Sequence, residues 1–103
     1  MTYTVSFRPE ARSDLHAIER IIASDSPARA AAYVERILDA CMSLSEMPRR
    51  GRARGDLMPG LRILVFERRV VIAYRVEEDR VRIVNIFYGG RDYETLLRDQ
   101  DQR

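Results

Sequence analysis

A strongly apolar segment near the end of the sequence leads directly into three residues whose side chains can bind or react. Val81 to Tyr88 is followed by a glycine pair and then by Arg91, Asp92 and Tyr93. A segment that is apolar on both faces is typical of a strand inside a sheet, and paired glycines end such a strand abruptly. We therefore expect the three side chains at the mouth of this strand, where a guanidinium can bind phosphate or carboxylate. A structural role is equally open, in which Asp92 caps a following helix and Arg91 pairs with it.

A second group of cations lies in the middle of the chain. Residues 47–69 carry seven arginines against two acids, and all 18 basic residues of the chain are arginine. Glycines interrupt the segment from Arg49 to Gly60, which indicates a flexible, solvated loop. Arg52 and Arg54 in this loop, and Arg62 just after it, are candidates for contacts with phosphates or with an acidic protein. Plain solvation of these side chains is the third possibility.

Other reactive side chains are isolated. The only histidine, His16, lies beside the apolar stripe of a predicted helix, and the only cysteine, Cys41, lies on such a stripe. A cysteine in that position is more typical of the core than of a nucleophile. No cluster of histidine, cysteine and carboxylate residues has metal-ligand spacing, so we expect neither a metal nor a cofactor. Metal-free RNA cleavage needs a general acid and a general base, and no residue is marked for either role.

Length and composition predict one globular domain over residues 1–103. The chain is 46% apolar and 33% charged, which is ordinary for a soluble protein. It has no run of about 18 apolar residues and no signal-peptide pattern. A single cysteine fits a reducing compartment. We therefore expect a cytoplasmic protein without a membrane partner.

The spacing of apolar residues predicts the elements that position these side chains. An alternating strand is expected first, then two amphipathic helices joined by a short turn, then three strands and a short helix. Ser26 and Pro27 are typical of a helix start. The predicted segments are Tyr3–Phe7 (strand), a helix from Pro9, a helix from Pro27 to Met47, strands 61–66, 69–76 and 80–88, and a helix from Asp92 or Tyr93 to about Arg98. This order predicts an α+β fold with two layers, in which a helical hairpin packs on a mostly antiparallel four-stranded sheet.

The predicted sheet has more apolar surface than two helices can cover. Both faces of the last strand are largely apolar, and alternation places Val71 and Ala73 on one face together with Val84 and Ile86. Two helices cover one face only. The other face must be covered by the C-terminal segment, by a second copy or by another chain, because large exposed apolar patches are uncommon.

A series of short motifs in one order resembles the ParE branch of the RelE/ParE toxins of bacterial type II toxin–antitoxin systems. The similarity spans roughly residues 3–95. The matching motifs are Phe7-Arg-Pro-Glu-Ala11 with Asp14, Leu15 and Ile18, Ser26-Pro27-Ala28-Arg29-Ala30, Leu44-Ser-Glu-Met-Pro48, Gly51-Arg52, Pro59-Gly60-Leu61-Arg62, Val71-Ile-Ala-Tyr74-Arg75-Val76, and Val81-Arg-Ile83 leading to Gly90-Arg91-Asp92.

The resemblance implies a RelE/ParE-like fold and a toxin that a ParD-like antitoxin neutralises in a hetero-oligomeric complex. ParE-like proteins are associated with DNA gyrase, so our first hypothesis is a gyrase inhibitor that binds its target without catalytic residues or direct nucleic-acid contact. The expected target-binding residues are Arg91, Asp92, Tyr93, Arg62, Arg52 and Arg54. The expected antitoxin contacts are the exposed flank of the two helices and the uncovered face of the sheet, which presents either the residues of opposite parity or Val71, Ala73, Val84, Ile86 and Arg75. The alternative is a ribosome-dependent mRNA endoribonuclease of the RelE type, which would use Arg62, Arg91 and Tyr93. A third possibility is a non-toxic relative that binds only the antitoxin.

Overall fold

The computed structural model describes residues 2–101, in which one mixed sheet carries helices on both of its faces. Within these residues no helix is long and apolar enough to cross a membrane. The elements are β1 (Thr4–Phe7), α1 (Pro9–Ala23), α2 (Pro27–Met42) with a 3-10 turn at Ser43–Ser45, β2 (Arg52–Ala53), β3 (Leu61–Phe66), β4 (Val70–Glu77), β5 (Arg80–Tyr88) and α3 (Tyr93–Asp101).

The sheet has the strand order β1-β5-β4-β3-β2. β1 runs parallel to β5, and the other neighbouring strands are antiparallel. The doubly apolar β5 therefore lies inside the sheet, as its sequence predicts. The predicted α+β class is confirmed, with one strand more than expected because the two-residue β2 pairs with β3.

The hairpin of α1 and α2 packs on one face of the sheet, which we call the hairpin face. Both helices begin with proline, and the side chain of Ser26 accepts a hydrogen bond from the backbone N–H of Arg29 at 3.3 Å. Cys41 is fully buried in this layer, where desolvation raises the pKa of its thiol to about 12. Its role as a core residue agrees with the sequence pattern. The buried residues of the hairpin layer are Ala11, Leu15, Ile18, Ile37, Cys41, Leu44, Val70, Ile72, Tyr74, Val81, Ile83 and Ile86.

The opposite face, which we call the α3 face, is covered by the chain itself. The segment from Arg49 to Gly60, which we call the middle loop, contributes Leu57 and Met58. Together with Leu97 of α3, these residues pack against strand residues such as Ala73 and Phe87. The C-terminal segment therefore covers part of the second apolar face of the sheet. It was one of the three covers that the sequence led us to expect. α3 also extends to Asp101, beyond the predicted end near Arg98, and so lies over more of the sheet.

The predicted grouping of residues on this face is wrong, because β5 contains a β-bulge. Ala73 lies opposite Asn85, but Tyr74 lies opposite Ile83, so Val84 is an extra residue in β5. The insertion breaks the alternation on which the prediction depended. Val84 joins the α3 face with Ala73, whereas Ile86 packs in the hairpin layer.

The segment from Arg49 to Gly60 is largely fixed rather than flexible and solvated. The phenol of Tyr74 donates a hydrogen bond to the Pro48 carbonyl and accepts one from the Gly51 N–H, each at 2.8 Å. β2 pairs with β3, and Leu57 and Met58 are buried. The prediction failed because it considered only the composition of the loop, whereas a buried side chain from β4 fixes it.

Candidate functional site

The predicted strand mouth is a short, well-defined turn between β5 and α3. Both glycines have positive φ, 76° at Gly89 and 77° at Gly90, which favours glycine over other residues. Asp92 then accepts hydrogen bonds from the backbone N–H and the hydroxyl of Thr95, at 3.3 and 2.8 Å. The hydroxyl contact is the main reason why the pKa of Asp92 is lowered. Asp92 therefore caps α3, as its structural interpretation predicts.

Arg91 and Tyr93 lie together on the α3 face of this turn. The exposed Arg91 places its guanidinium carbon 5.8 Å from the centre of the Phe87 ring, and the half-buried Tyr93 ring lies 6.1 Å from the same ring. Among the described residues no ion pair joins Arg91 to Asp92, so the predicted structural role of Arg91 as the partner of Asp92 is wrong. The cation is thus supported by an aromatic surface and open to a partner.

Arg62 lies on the other side of the sheet. Its neighbours Leu61 and Ile63 pack on the α3 face, so alternation directs the Arg62 side chain to the hairpin face. There its guanidinium donates to the carbonyls of Arg49 and Gly51, at 3.2 and 2.7 Å. The structure therefore does not bring Arg62 together with the arginine and tyrosine of the strand mouth.

Arg54 connects the middle loop to α3. Its guanidinium donates to both carboxylate oxygens of Asp56, at 3.0 and 2.9 Å, and to Glu94 at 2.5 Å. The hydrogen bonds from this guanidinium lower the pKa of Asp56 to about 2, and the two carboxylates raise the pKa of Arg54. Arg52, on the short β2, is exposed. Of the predicted target-binding arginines, Arg52 and Arg91 are therefore the more accessible ones, and Arg54 and Arg62 have structural partners.

Three of the five predicted antitoxin-binding residues are inside the folded chain. Ala73, Val84 and Ile86 are 0%, 1% and 1% exposed. Val71 is half-buried, and Arg75 reaches the Met58 sulfur at 3.9 Å and Glu77 at 3.5 Å. A partner can therefore reach Val71 and Arg75 in this conformation, but it reaches the other three only if a covering element moves.

A cleft lies on the exposed side of α2, on the flank of the helical hairpin where an antitoxin contact was expected, although none of its residues was named. It has a volume of about 390 Å³ and lies between α2, the β3–β4 turn and the end of β5, and we call it the α2 cleft. Arg29, Tyr33 and Arg36 follow each other at spacings of four and three, so they share one side of the helix. That spacing was the available signal. The residues that line the cleft are Ile22, Arg29, Ala32, Tyr33, Arg36, Glu67, Arg69 and Tyr88.

The α2 cleft contains aromatic rings, cations and one polar atom without a partner. Arg36 pairs with Glu67, and its guanidinium carbon lies 5.5 Å from the centre of the Tyr33 ring. The hydroxyl of Tyr33 is buried and has no hydrogen-bond partner within the described residues. Desolvation is the main cause that raises the pKa of this phenol. Arg29 and Arg69 are exposed at the sides of the cleft, without an ion pair in residues 2–101.

Between residues 2 and 101, no group of three or more His, Cys, Asp or Glu side chains is arranged to hold a metal ion. Cys41 is a free, buried thiol enclosed by apolar neighbours.

Comparisons with known proteins identify similar chains. A family profile described as the ParE toxin of the type II toxin–antitoxin system parDE matches residues 5–93. A structure of the chromosomal ParDE toxin–antitoxin system from P. aeruginosa has 25% identity and a TM-score of 0.73, over 84% of this chain and 96% of that one. The toxin–antitoxin complex RelBE2 from Mycobacterium tuberculosis has 27% identity and a TM-score of 0.64, over 86% of this chain and 100% of that one. A search of curated proteins gives no match.

Proposed function

This chain belongs to the ParE toxin family of type II toxin–antitoxin systems, and we propose that it is a single-domain, cytoplasmic toxin that inhibits DNA gyrase by binding to it. In this proposal a ParD-like antitoxin neutralises the chain in a toxin–antitoxin complex. Gyrase and the ParD-like partner are both part of the proposal. The similarity to the chromosomal ParDE system supports the ParD-like partner, and the choice of gyrase follows from the resemblance to ParE-like proteins.

The separation of Arg62 from Arg91 and Tyr93 is the observation that carries this choice. Cleavage of a phosphodiester requires a cation, an acid and a base that converge on one phosphate. Here Arg62 lies on the hairpin face, where two backbone carbonyls hold its guanidinium. Arg91 and Tyr93 lie against Phe87 on the α3 face. This arrangement supports a binding surface better than the shared phosphate site that the ribonuclease alternative needs.

The strand mouth has features that suit a protein interface. Arginine and tyrosine are the residue types that most often dominate binding energy, and they act best when the free protein already holds them in place. Asp92 caps α3 and so fixes the turn, while the ring of Phe87 supports both Arg91 and Tyr93. We therefore assign target binding to this surface, with the exposed Arg52 as a further contact.

A supercoiling reaction with purified gyrase tests the proposal. The chain, freed from its antitoxin, is expected to inhibit supercoiling, and Arg91→Ala is expected to weaken inhibition by about tenfold or more, as for an interface hot spot. Arg80→Ala is the matched control, since Arg80 is also an exposed arginine and lies at the opposite end of β5.

A second reaction separates the alternatives. A folded, growth-inhibiting chain that leaves gyrase unaffected would contradict the proposal. Cleavage of ribosome-bound mRNA by that protein would support the RelE-type alternative, which the similarity to RelBE2 keeps relevant. A chain that does not inhibit growth in the absence of antitoxin would indicate the non-toxic relative.

A further inference from the structure

Three exposed arginines lie close together at one end of the sheet. Arg29 and Arg69 line the same depression, of about 230 Å³, beside the start of α2. Arg68 lies next to Arg69 at the tip of the β3–β4 turn. All three side chains are exposed, and within residues 2–101 none of them forms an ion pair. We call these three arginines the basic rim.

The basic rim adjoins the strand mouth. The backbone N–H of Gly89 donates a hydrogen bond to the Arg69 carbonyl at 3.0 Å, one residue beyond the pairing of Val70 with Tyr88. Neighbouring strands lie about 5 Å apart, so Arg91, two residues after Gly89, lies at the same end of the sheet. A partner bound at the strand mouth therefore also lies beside the basic rim.

The β3–β4 turn has charged residues in a conformation that favours others. Glu67 and Arg68 have φ of 51° and 62°, and the Arg69 N–H closes the turn on the Phe66 carbonyl at 3.2 Å. A tight hairpin turn with positive φ at both central residues favours asparagine and glycine. Glu67 has a partner in Arg36, whereas Arg68 has no ion pair in the described part of the chain. Backbone strain at a residue with an unpaired charge is typical of a functional surface.

Charge is distributed unevenly along the direction of the strands. Around the strand mouth, the β3–β4 turn and the adjoining depression, five arginines occur with three carboxylates. They are Arg29, Arg36, Arg68, Arg69 and Arg91, with Asp25, Glu67 and Asp92. At the opposite end, the β4–β5 turn has three carboxylates, Glu77, Glu78 and Asp79, with Arg80. This polarity orients the mouth end towards a polyanion and the opposite end away from it.

The basic rim suits a nucleic-acid backbone. Exposed arginine side chains are frequent donors to phosphate oxygens in protein–DNA complexes. Each DNA strand carries one charge about every 3.4 Å along the helix axis, so neighbouring arginines can contact successive phosphates. Under the proposed function the chain binds an enzyme that acts on duplex DNA, and a polyanion is then present beside the toxin.

We propose that the basic rim contacts the phosphate backbone of the DNA that gyrase holds, while the strand mouth contacts the enzyme itself. The inference rests on the proposed function and extends it from a protein pair to a complex of toxin, enzyme and DNA. It differs from the sequence-based expectation of no direct nucleic-acid contact. That expectation considered the arginines of the middle loop, whereas the basic rim combines α2 with the β3–β4 turn and forms only in the folded chain.

The affinity of purified variants for gyrase, with and without a bound linear duplex, tests this inference. Wild type is expected to bind the gyrase–DNA complex about tenfold or more tightly than DNA-free gyrase, the value of one hydrogen bond to a charged group. For the gyrase–DNA complex, Arg69→Ala and Arg68→Gly should each reduce the slope of log affinity against log salt concentration by about 1. Neither variant should change the affinity for DNA-free gyrase, and the control Arg80→Ala should change neither quantity.

Two substitutions of Arg68 separate DNA contact from folding. Glycine adopts positive φ without a steric cost, so Arg68→Gly should keep or raise the melting temperature while it weakens binding to the gyrase–DNA complex. Arg68→Lys retains the positive charge and should retain the salt dependence of the wild type. Equal salt dependence of the glycine and lysine variants would contradict a phosphate contact at Arg68.

The remaining outcomes distinguish failure of this inference from failure of the proposed function. If wild type binds gyrase equally well with and without DNA, the rim does not contact DNA, while gyrase binding stands. If the variants weaken binding to DNA-free gyrase as much as to the complex, the rim contacts protein instead. If wild type binds neither form of gyrase, the proposed function fails, and the inference fails with it.

Discussion

Removing a single oxygen atom from Tyr74 tests how the middle loop is held on the sheet. Tyr74 is fully buried in β4, and its hydroxyl bonds two backbone groups of a segment more than twenty residues away. It donates to the Pro48 carbonyl and accepts from the Gly51 N–H. In Tyr74→Phe the ring remains in the core, but both backbone groups lose their partner.

The structure gives the size of the expected effect. Both hydrogen bonds are buried, so water does not readily replace the lost oxygen. A buried polar group left without a partner costs about 1–3 kcal/mol, and two such groups give a loss of roughly 2–4 kcal/mol after partial relaxation. For a domain of this size the melting temperature should fall by about 10–25 °C.

Thermal and urea unfolding measure this loss, with Tyr33→Phe as the matched control. The Tyr33 hydroxyl is also buried but has no partner, so its removal should leave the free energy of unfolding unchanged or slightly increased. Hydrogen exchange should show faster opening of β2 in Tyr74→Phe. A loss below about 0.5 kcal/mol, or equal effects of the two substitutions, would refute the argument that Tyr74 fixes the loop.

Two further predictions concern the same loop. Gly51→Ala should destabilise the fold by about 1–3 kcal/mol in urea unfolding, since its Cβ would lie 2.7 Å from the Tyr74 oxygen and 2.9 Å from a backbone oxygen. Gly55→Ala is the control, because a Cβ at Gly55 meets nothing within 4 Å. Equal stabilities of the two variants would contradict the packing around Gly51. Because Arg54 lowers the pKa of Asp56 from 3.8 to about 2, the contribution of Asp56 to stability is complete above about pH 4 and is lost as the pH falls towards 2. The melting temperatures of wild type and Asp56→Asn should therefore differ at pH 6 and converge near pH 2, whereas a constant difference would show that the ion pair is not the cause.

Local patterns were sufficient to predict the presence and the starts of the helices and the position of β5, although α2 ends at Met42 rather than Met47 and α3 extends to Asp101. The Ser26-Pro27 start of α2 depends on a cap and a proline, both of which act within one turn. The apolar stripe of α1 has the period of the helix itself, and Ala11, Leu15 and Ile18 are all buried. Residues of β5 pack on both sides of the sheet, which its composition required.

The remaining features depend on contacts between distant segments. Nothing in the alternation of β5 marks Val84 as an inserted residue, because the bulge is set by its pairing with β4. The fixed loop depends on Tyr74, and the sequence around Gly51 gives no sign of that contact. The α2 cleft combines residues from both helices, the β3–β4 turn and β5, so its charge balance can be judged only in the folded chain.

The count of double-strand breaks that purified gyrase leaves in plasmid DNA tests the central claim most directly. If the chain binds the enzyme through the strand mouth, adding it should increase trapped breaks, Arg91→Ala should lose the effect, and Arg80→Ala should retain it. If a folded and growth-inhibiting wild-type chain leaves the number of breaks unchanged, or if Arg91→Ala traps as many as wild type, the account of this surface as a gyrase-binding site is contradicted.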